Sequence, residues 1–214
     1  MAHGHSHDNQ WHDAQHDEKG WWDTCANTYW EETKQIVYAR YMGITFQPDE
    51  RGPYFIELGG KSVLDIGGGP VSLLLKASKN SLRTVADPCE YPSWVGERYA
   101  AQDIVYEQVK GEDVDKITTD TKYDEVWLYN CLQHVDDPAK IIHNALGALK
   151  PGGVFRIFEW INTPTNTAHP HSLTKGQLDG WIGQPGDVTH LSESGCYGDA
   201  YFGAFTATLG ERNT

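Results

Sequence analysis

The stretch Val63-Leu64-Asp65-Ile66-Gly67-Gly68-Gly69-Pro70 decides the fold of this chain. Its first half joins β-branched and apolar residues to one acid, which is typical of a buried strand. Three glycines follow, and glycine permits both a sharp turn and a close approach of a ligand to the backbone. The residues after the turn predict a helix over 71–78, whose first N–H groups can bind a polar or anionic group. The order of strand, glycine turn and helix predicts a site for a nucleotide-like ligand.

Composition narrows the class of ligand. The chain has 214 residues, 39% of them hydrophobic and 12% aromatic, which is enough for one globular domain. Its formal net charge is −13 and its 17 Lys and Arg are scattered, which disfavours binding to nucleic-acid phosphates. The four cysteines lie far apart, and no apolar run approaches the length of a membrane span. We therefore expect a soluble cytoplasmic protein that acts on a small molecule, with neither nucleic acid nor a membrane as partner.

The first 50 residues differ from the rest. Residues 1–16 hold five of the ten histidines and predict a disordered, solvated tail, with metal binding as the alternative. Since no cage of cysteines or carboxylates with defined spacing surrounds these histidines, we predict no metal site. Aromatic residues recur at helical spacing between 20 and 43, so the segment 17–50 predicts lid helices over the ligand or, alternatively, a helix packed on the core. Residues 47–53 are interpreted as a loop.

Strands and helices alternate in the remainder of the chain. The predicted strands are 62–66, 83–86, 104–109, 125–129 and 154–161, and the predicted helices after the first are 92–101, 138–149 and 174–182. A turn is predicted at 150–153, and a closing hairpin over 188–191 and 201–207. This alternation implies βαβ units, a mostly parallel sheet with helices on both faces, and a single domain over 17–214 with its core at 62–207.

Polar side chains cluster where the predicted strands end. They are Asp65, Asp87, Glu112, Asp113, Asn130, Gln133 and His134. In an open α/β sheet, ligands bind beyond the carboxyl ends of the strands. One carboxylate can accept hydrogen bonds from both hydroxyls of a ribose, and Asp87 lies about 20 residues after the glycine turn, as that role requires. The strand ends therefore predict a ligand rich in hydroxyl and amino groups.

From about Ser62 to Ala207 the chain resembles the class I S-adenosylmethionine (SAM)-dependent methyltransferases. The matching stretches are Val63–Pro70, Val85–Asp87, Gly111–Asp113, Tyr123–Pro138 and Leu149–Val154. The resemblance implies a Rossmann-like fold whose mostly parallel sheet ends in an antiparallel hairpin. It also implies an enzyme that binds SAM, releases S-adenosyl-L-homocysteine, and methylates a small molecule at an oxygen or nitrogen.

The resemblance assigns the methionine end of the cofactor and the reacting groups to the first and fourth strands. Gly67, Gly68 and Gly69 would let the backbone approach the methionine part, and Asp65 would hold that end. Asn130 would lie beside it. His134 would lie near the sulfonium and the acceptor, where a histidine can act as general base. The alternative is that His134 only packs or bonds to the backbone.

The adenosine end is assigned to the second and third strands. Asp87, with Pro88 after it, would take the ribose hydroxyls, and Glu112 or Asp113 would take the adenine amino group. The aromatic cover of the cofactor is assigned to two residues of the N-terminal segment, Tyr29 and Trp30. An aromatic ring there would stack on adenine or attract the sulfonium.

One departure from the family's pattern and two alternative functions remain. Val71, preceded by Pro70, stands where the family has its third glycine. Ser72 lies three residues after Gly69, so the G-x-G-x-x-G pattern of dinucleotide enzymes is not met, which counts against an NAD(P)-dependent oxidoreductase. A non-catalytic protein that binds SAM or a metal on the same scaffold is the other alternative.

Overall fold

The structure is a computed structural model that describes residue 16 and residues 29–50 and 52–207. Its helices are α1 (Tyr29–Tyr41), α2 (Ser93–Ala100), α3 (Pro138–Gly147) and α4 (Lys175–Ile182). Its strands are β1 (Gln47–Asp49), β2 (Gly52–Phe55), β3 (Val63–Ile66), β4 (Arg83–Ala86), β5 (Val105–Glu107), β6 (Tyr123–Tyr129), β7 (Leu149–Ile161), β8 (Asp187–Glu193) and β9 (Cys196–Thr206).

Seven strands form the central sheet in the order β5-β4-β3-β6-β7-β9-β8. The first five run parallel, and β9 joins β7 antiparallel, with β8 antiparallel at the edge. All four residues of β3 are buried, as expected for a central strand covered on both faces. The predicted fold class, a mostly parallel Rossmann-like sheet with a C-terminal antiparallel hairpin, is confirmed.

The two faces of the sheet carry separate cores because successive side chains of a strand point to opposite sides. On one face, Trp127 and Tyr129 of β6 belong to a cluster that includes residues of α1 and α2. On the other face, Val126 and Leu128 belong to a cluster with residues of α3 and α4. Helices therefore cover both faces, and the carboxyl ends of β3 and β6 lie between them.

The predicted helix over 71–78 is wrong. Two 3₁₀ turns, Gly69–Val71 and Leu73–Lys76, occupy this segment. Ser72 separates them because its backbone is extended, with φ −48° and ψ 145°, and its side chain accepts a hydrogen bond from the N–H of Leu74. Pro70 is the second residue of the first turn, near the helix start that proline suits. The glycine loop therefore leads into short turns rather than into a long helix with an N-terminal anion site.

Two other predictions need correction. The predicted loop at 47–53 contains β1 and the start of β2, an antiparallel pair in which Gln47 lies opposite Phe55. Prolines are tolerated there because a two-stranded ribbon consists of edge strands. The predicted turn at 150–153 lies within β7, where Gly152 has φ +76° and the register with β6 shifts. A glycine-containing bulge thus replaces a chain reversal.

Only part of the N-terminal segment can be compared with the prediction. α1 confirms a helix within the aromatic stretch, and Val37, Tyr38 and Met42 are buried in the core. The histidine-rich tail, apart from residue 16, and residues 17–28 lie outside the described residues. In residues 29–50 and 52–207, none of the helices has the length and apolar character needed to cross a membrane.

Candidate active site

The glycine loop lies tightly against the loop that follows β6. Gly67 and Gly69 have φ +74° and +60°, a region that glycine adopts at little cost. A Cβ on Gly67 would lie 2.7 Å from the Cβ of Cys131, and one on Gly68 would lie 2.7 Å from Oδ2 of Asp65. Side chains at these positions would therefore force the loop away from the end of the sheet.

Asp65 anchors the loop from beneath. Its carboxylate is fully buried, and Oδ2 accepts hydrogen bonds from the hydroxyls of Ser72 at 2.5 Å and Tyr129 at 2.6 Å. Burial raises the pKa of Asp65 to about 7, although these two hydrogen bonds act in the opposite direction. Because Tyr129 also accepts from the N–H of Leu73, Asp65 connects β3, β6 and the second 3₁₀ turn.

A second set of hydrogen bonds fixes Gly69 from the side of α2 and β4. The hydroxyl of Tyr99 donates to the carbonyl of Gly69 at 2.5 Å and accepts from the N–H of Ser72 at 3.0 Å. The N–H of Gly69 donates to Oδ2 of Asp87 at 3.0 Å, while the N–H of Cys89 donates to Oδ1. Both backbone polar groups of Gly69 are thus bonded within the protein.

A cavity of about 520 Å³ opens above this loop. It lies between α1, the glycine loop, the end of β6, the loop after β7 and the turn between β8 and β9. Residues from all five segments line it, including Gly67–Gly69, Gln35, Asn130, His134, Thr163 and Tyr197. A volume of this size matches the range of small-molecule sites.

The end of β6 supplies polar groups to the cavity. Asn130 has φ +52°, which asparagine tolerates better than most residues, and its Oδ1 accepts from Nε2 of Gln133 at 3.2 Å. The backbone N–H groups of Cys131 and Leu132 donate to Oε1 of Glu159 on β7. Burial raises the pKa of Glu159 to about 7. These bonds hold the loop after β6 in the conformation that directs its side chains to the cavity.

The hydrogen bond of His134 determines its tautomer. Nδ1 lies 2.7 Å from the carbonyl oxygen of Ala168. Since a carbonyl only accepts, Nδ1 carries the proton and Nε2 carries the lone pair. Burial lowers the pKa of His134, which favours this neutral form. His134 therefore presents Nε2 as a proton acceptor beside the glycine loop.

Several buried acceptor oxygens near this site lack a hydrogen-bond donor. Within the part of the chain that the structure describes, Oδ1 of Asp65, Oε1 of Gln35 and Oγ1 of Thr163 have no hydrogen-bond partner. Gln35 and Thr163 both line the cavity. A buried polar atom without a partner costs free energy, so a ligand that brings N–H or O–H donors would stabilise this arrangement.

The two carboxylates predicted to bind the adenine amino group contact other parts of the protein. Oε1 of Glu112, a buried side chain, accepts from the backbone N–H groups of Asp136 and Asp137 at 2.9 and 3.0 Å. Asp113 forms an ion pair with Lys116, at 2.9 Å. Among the described residues, neither Glu112 nor Asp113 belongs to the lining of the 520 Å³ cavity.

The remaining predicted site residues fall in two groups. Asp87 is 4% exposed and Pro88 follows it in the loop after β4, and both lie outside the described lining of the cavity. Tyr29 and Trp30 begin α1, but their side chains lie outside the described part of the structure. The structure thus brings the glycines, Asn130 and His134 together around one cavity, with the predicted adenosine-binding acids to one side.

Sequence analysis missed two polar side chains of the cavity, Gln35 on α1 and Thr163 in the loop after β7. Gln35 and Tyr38 are three positions apart, so they share one face of α1, and this face lines the cavity. Trp160 packs edge-on against Tyr38 with 6.3 Å between ring centroids. The helical spacing of residues 35 and 38 was the available signal, whereas Thr163 carries no signal in its local sequence. Within residues 29–50 and 52–207, no cluster of histidine, cysteine or acidic side chains is suited to a metal ion.

Two solved structures that share the fold are methyltransferases. The chain matches the 1,6-didemethyltoxoflavin-N1-methyltransferase of Burkholderia thailandensis with a TM-score of 0.63 and 15% identity, over 97% of this chain and 93% of that one. It matches the N-methyltransferase NodS of Bradyrhizobium japonicum with a TM-score of 0.58 and 14% identity, over 92% and 98% of the two chains. Both of those structures contain S-adenosylhomocysteine. At these identities the likeness establishes the fold.

The chain also resembles curated O-methyltransferases in sequence. The ubiquinone biosynthesis O-methyltransferase of Coxiella burnetii is 34% identical over 101 residues, which is 46% of this chain and 43% of the relative. The enzyme of the same name from Pseudomonas savastanoi is 32% identical over 109 residues, 49% and 45% of the two chains. The chain thus spans less than half the length of these curated relatives. The sequence model of the methyltransferase domain matches residues 48–181, more than half of this chain. The chain therefore belongs to the methyltransferase domain family, as its glycine-rich stretch and strand-end residues predicted.

Proposed function

We propose that this protein transfers a methyl group from SAM to an oxygen or nitrogen of a small molecule. The observation that carries the proposal is the cavity itself, because the glycine loop and the imidazole of His134 line the same space. A cofactor bound at the loop and an acceptor bound at His134 would therefore meet within it. The formal charge of −13 supports a small molecule rather than a nucleic acid as the acceptor.

The residues present fit the methionine end of SAM. That end carries an ammonium group with three N–H donors, and the site offers the unpaired buried oxygens of Asp65, Gln35 and Thr163 within the described residues. Gly67 and Gly68 leave the backbone open to close approach, and Asn130 lines the cavity beside them. We therefore assign the methionine end to these residues.

Fewer residues are candidates for the adenosine end of SAM than for its methionine end. Oδ2 of Asp87 accepts from the N–H of Gly69, and Oδ1 accepts from the N–H of Cys89. Asp87 would take the ribose hydroxyls while it continues to hold these two N–H groups. Asp113 is the freer of the two acids proposed for the adenine amino group, since Glu112 holds two backbone N–H groups.

SAM supplies a methyl group that is already activated for displacement. The protein's part is to orient the acceptor in line with that group, to exclude water and to remove a proton from the acceptor where necessary. His134 is suited to the last task because its neutral ring offers Nε2 while Ala168 fixes Nδ1. Nε2 of Gln133 lies 3.5 Å from Nε2 of His134, and the O–H or N–H of the acceptor would take the place of this amide there.

The acceptor side of the cavity favours a flat, partly apolar molecule. Tyr38, Trp160 and Tyr197 line it together with the rings of His134 and His169. Aromatic walls contribute most when they pack on another planar group. The acceptor would therefore present an O–H or N–H on a ring.

The proposal is tested first by binding and then by turnover. Calorimetry with SAM, S-adenosylhomocysteine and NAD is expected to give binding with the first two and none with NAD. Extracts incubated with the protein and methyl-labelled SAM are then expected to yield a labelled small-molecule product. His134→Gln is expected to bind SAM as tightly as the unsubstituted protein but to form far less product.

The same experiment separates the alternatives. Binding of NAD without SAM would favour an oxidoreductase. Binding of SAM with no labelled product in any extract would favour a non-catalytic protein. The cytoplasm is our proposed compartment, because isolated cysteines suit a reducing environment, and Cys89, Cys131 and Cys196 form no disulfide within the described residues.

A further inference from the structure

The loop between β7 and α4 places a second imidazole against His134. The rings of His134 and His169 lie 4.6 Å apart between centroids, with 55° between their planes, and both line the cavity. Ala168, whose carbonyl accepts from Nδ1 of His134, directly precedes His169. One short segment of chain therefore fixes both rings.

Asn166 determines which nitrogen of His169 carries the proton. Its Oδ1 accepts from the backbone N–H of His169 at 2.9 Å, which orients the amide group. Its Nδ2 then lies 3.3 Å from Nδ1 of His169. Because an amide nitrogen only donates, Nδ1 of His169 accepts this hydrogen bond and the ring proton lies on Nε2.

The two imidazoles therefore have opposite hydrogen-bonding roles. His134 offers the lone pair of Nε2, whereas His169 offers an N–H at Nε2. Burial lowers the pKa of both rings, and the neighbouring His134 lowers the pKa of His169 further, so both rings are held neutral. A proton acceptor and a hydrogen-bond donor thus stand next to each other on the wall of the cavity.

We infer that His169 is a positioning residue that donates a hydrogen bond from Nε2 to the methyl acceptor, beside the nucleophile that His134 deprotonates. This inference rests on the proposed function. The acceptor oxygen or nitrogen would form its bond to the methyl carbon as the S–CH₃ bond of SAM breaks and S-adenosyl-L-homocysteine leaves, and the proton of its O–H or N–H bond would move to Nε2 of His134. The substrate class follows: a ring hydroxyl or N–H with a hydrogen-bond-accepting oxygen or nitrogen on the neighbouring ring atom.

The physical reason for this selectivity is the N–H of His169. An acceptor that lacks the neighbouring oxygen or nitrogen would cover this N–H without a partner, and an unpaired buried donor costs affinity. A site built to bond a polar group rejects an analogue that lacks it more strongly than an apolar pocket rejects an extra group.

The tautomers can be measured without any substrate. Long-range ¹H–¹⁵N spectra of the imidazoles in the unsubstituted protein are expected to show His134 protonated at Nδ1 and His169 at Nε2. In Asn166→Asp the carboxylate keeps the bond to the backbone N–H of His169 but can only accept from its ring. At pH 8.5 the proton of His169 is therefore expected to move to Nδ1. Protonation of His169 at Nδ1 in the unsubstituted protein, or rapid exchange between its tautomers, would overturn the inference.

The substrate preference is tested with two isomeric probes. 2-Methoxyphenol carries an accepting oxygen next to its hydroxyl, whereas 4-methoxyphenol carries the same group out of reach. With protein saturated with S-adenosylhomocysteine, we expect calorimetry to give about tenfold tighter binding of the 2-isomer, the equivalent of one hydrogen bond. Equal binding of the two isomers would contradict the inference.

Matched variants separate the hydrogen bond from shape and charge. His169→Phe keeps a ring against His134 but removes the N–H, so the preference for the 2-isomer is expected to fall below about twofold. Asn166→Asp is expected to do the same at pH 8.5. His143→Phe, on the exposed face of α3, and Asn80→Asp, at an exposed turn, are expected to keep the full preference. A preference that persists in His169→Phe would also overturn the inference.

Failure of the inference and failure of the proposed function give different results. If SAM does not bind, the proposed function fails, although the tautomers in the free protein remain measurable. If SAM binds and a labelled product forms while His169 is protonated at Nδ1, only the role of His169 fails. Thermal unfolding of each variant shows whether it is folded, and His169→Phe provides a second test if Asn166→Asp is not.

Discussion

The carboxyl edge of the sheet has two halves that use polar side chains in different ways. At the end of β3 the glycine loop, and after β6 Asn130 and His134, face a cavity that a ligand can enter. At the ends of β4 and β5, Asp87 and Glu112 accept backbone N–H groups from neighbouring loops. The difference teaches that an acid at a strand end, such as Glu112, can hold the loops of the site without lining the cavity. The place of a motif residue in the sequence predicts its place in the fold, whereas its hydrogen-bond partners determine what the residue does there.

The largest effect is expected on the cavity half. His134→Gln removes the base but keeps an amide N–H that can donate to the carbonyl of Ala168. Since general-base catalysis contributes about 10²- to 10⁴-fold, we expect kcat to fall by about 10²- to 10³-fold. Turnover of the acceptor identified from extracts gives the measurement, with His143→Gln as the control on the exposed face of α3. An unchanged kcat would place His134 among the packing residues and break the comparison.

The next effect concerns Asp65, which anchors the glycine loop. Asp65→Ala leaves the hydroxyls of Ser72 and Tyr129 buried without their acceptor and opens a small cavity. We expect the free energy of unfolding to fall by about 3 kcal/mol. Urea denaturation measures this loss, and Asp120→Ala, at an exposed position, is expected to change little. A loss as small as that of Asp120→Ala would show that the glycine loop does not depend on Asp65.

Because of Glu159, the stability of the protein is expected to fall as pH rises. A carboxylate in a salt bridge gives the opposite dependence on pH. Burial raises its pKa to about 7 in the folded protein, from 4.5 ordinarily, so the folded state keeps a proton that the unfolded state loses. Stability is therefore full below the unfolded pKa and is lost as pH rises towards 7. Asp65 contributes with the same sign.

Glu159→Gln isolates the contribution of this carboxyl. Between pH 5 and pH 7 the variant is expected to lose less of its unfolding free energy than the unsubstituted protein, by about 2 kcal/mol. Urea denaturation at pH 5, 6, 7 and 8 gives the two slopes. Parallel slopes would mean that Glu159 ionises in the folded protein as it does in the unfolded chain.

The fold was predictable because its signals are local. Residues 63–66 combine β-branched and apolar side chains before a glycine turn, and the same alternation of strand and helix patterns continues to residue 182. The helix over 71–78 was wrong because apolar periodicity cannot show that Ser72 adopts an extended backbone and caps the next turn. The placement of Asn130 and His134 beside the cavity was predictable, because both lie in the segment that follows β6.

Contacts between residues far apart in the sequence could not be predicted for this site. The partners of Glu112 lie 24 and 25 residues further along the chain, and Ala168 lies 34 residues after His134. Neither contact has a signature in local sequence. Asn166 and His169 are three residues apart before a proline, which is a turn signal, but only the structure shows that this turn fixes the ring beside His134.

The smallest effects are expected on the other half, where two neighbouring acids were predicted for one task. Glu112→Gln keeps an oxygen for the N–H groups of Asp136 and Asp137 but loses its charge, so we expect about 1 kcal/mol less stability and almost unchanged affinity for SAM. Asp113→Asn removes only an exposed ion pair with Lys116. Since such pairs contribute little to stability, the Tm of this variant is expected to stay unchanged. Its Kd for SAM is expected to rise by about threefold, through loss of a charge-assisted bond to the adenine amino group. Calorimetry and thermal unfolding of the two variants are expected to give a crossed pattern, since one acid supports the loop and its neighbour is the one proposed to contact the ligand. Weaker SAM binding in Glu112→Gln than in Asp113→Asn would reverse the two assignments and show that an acid bonded to backbone N–H groups can still serve the ligand.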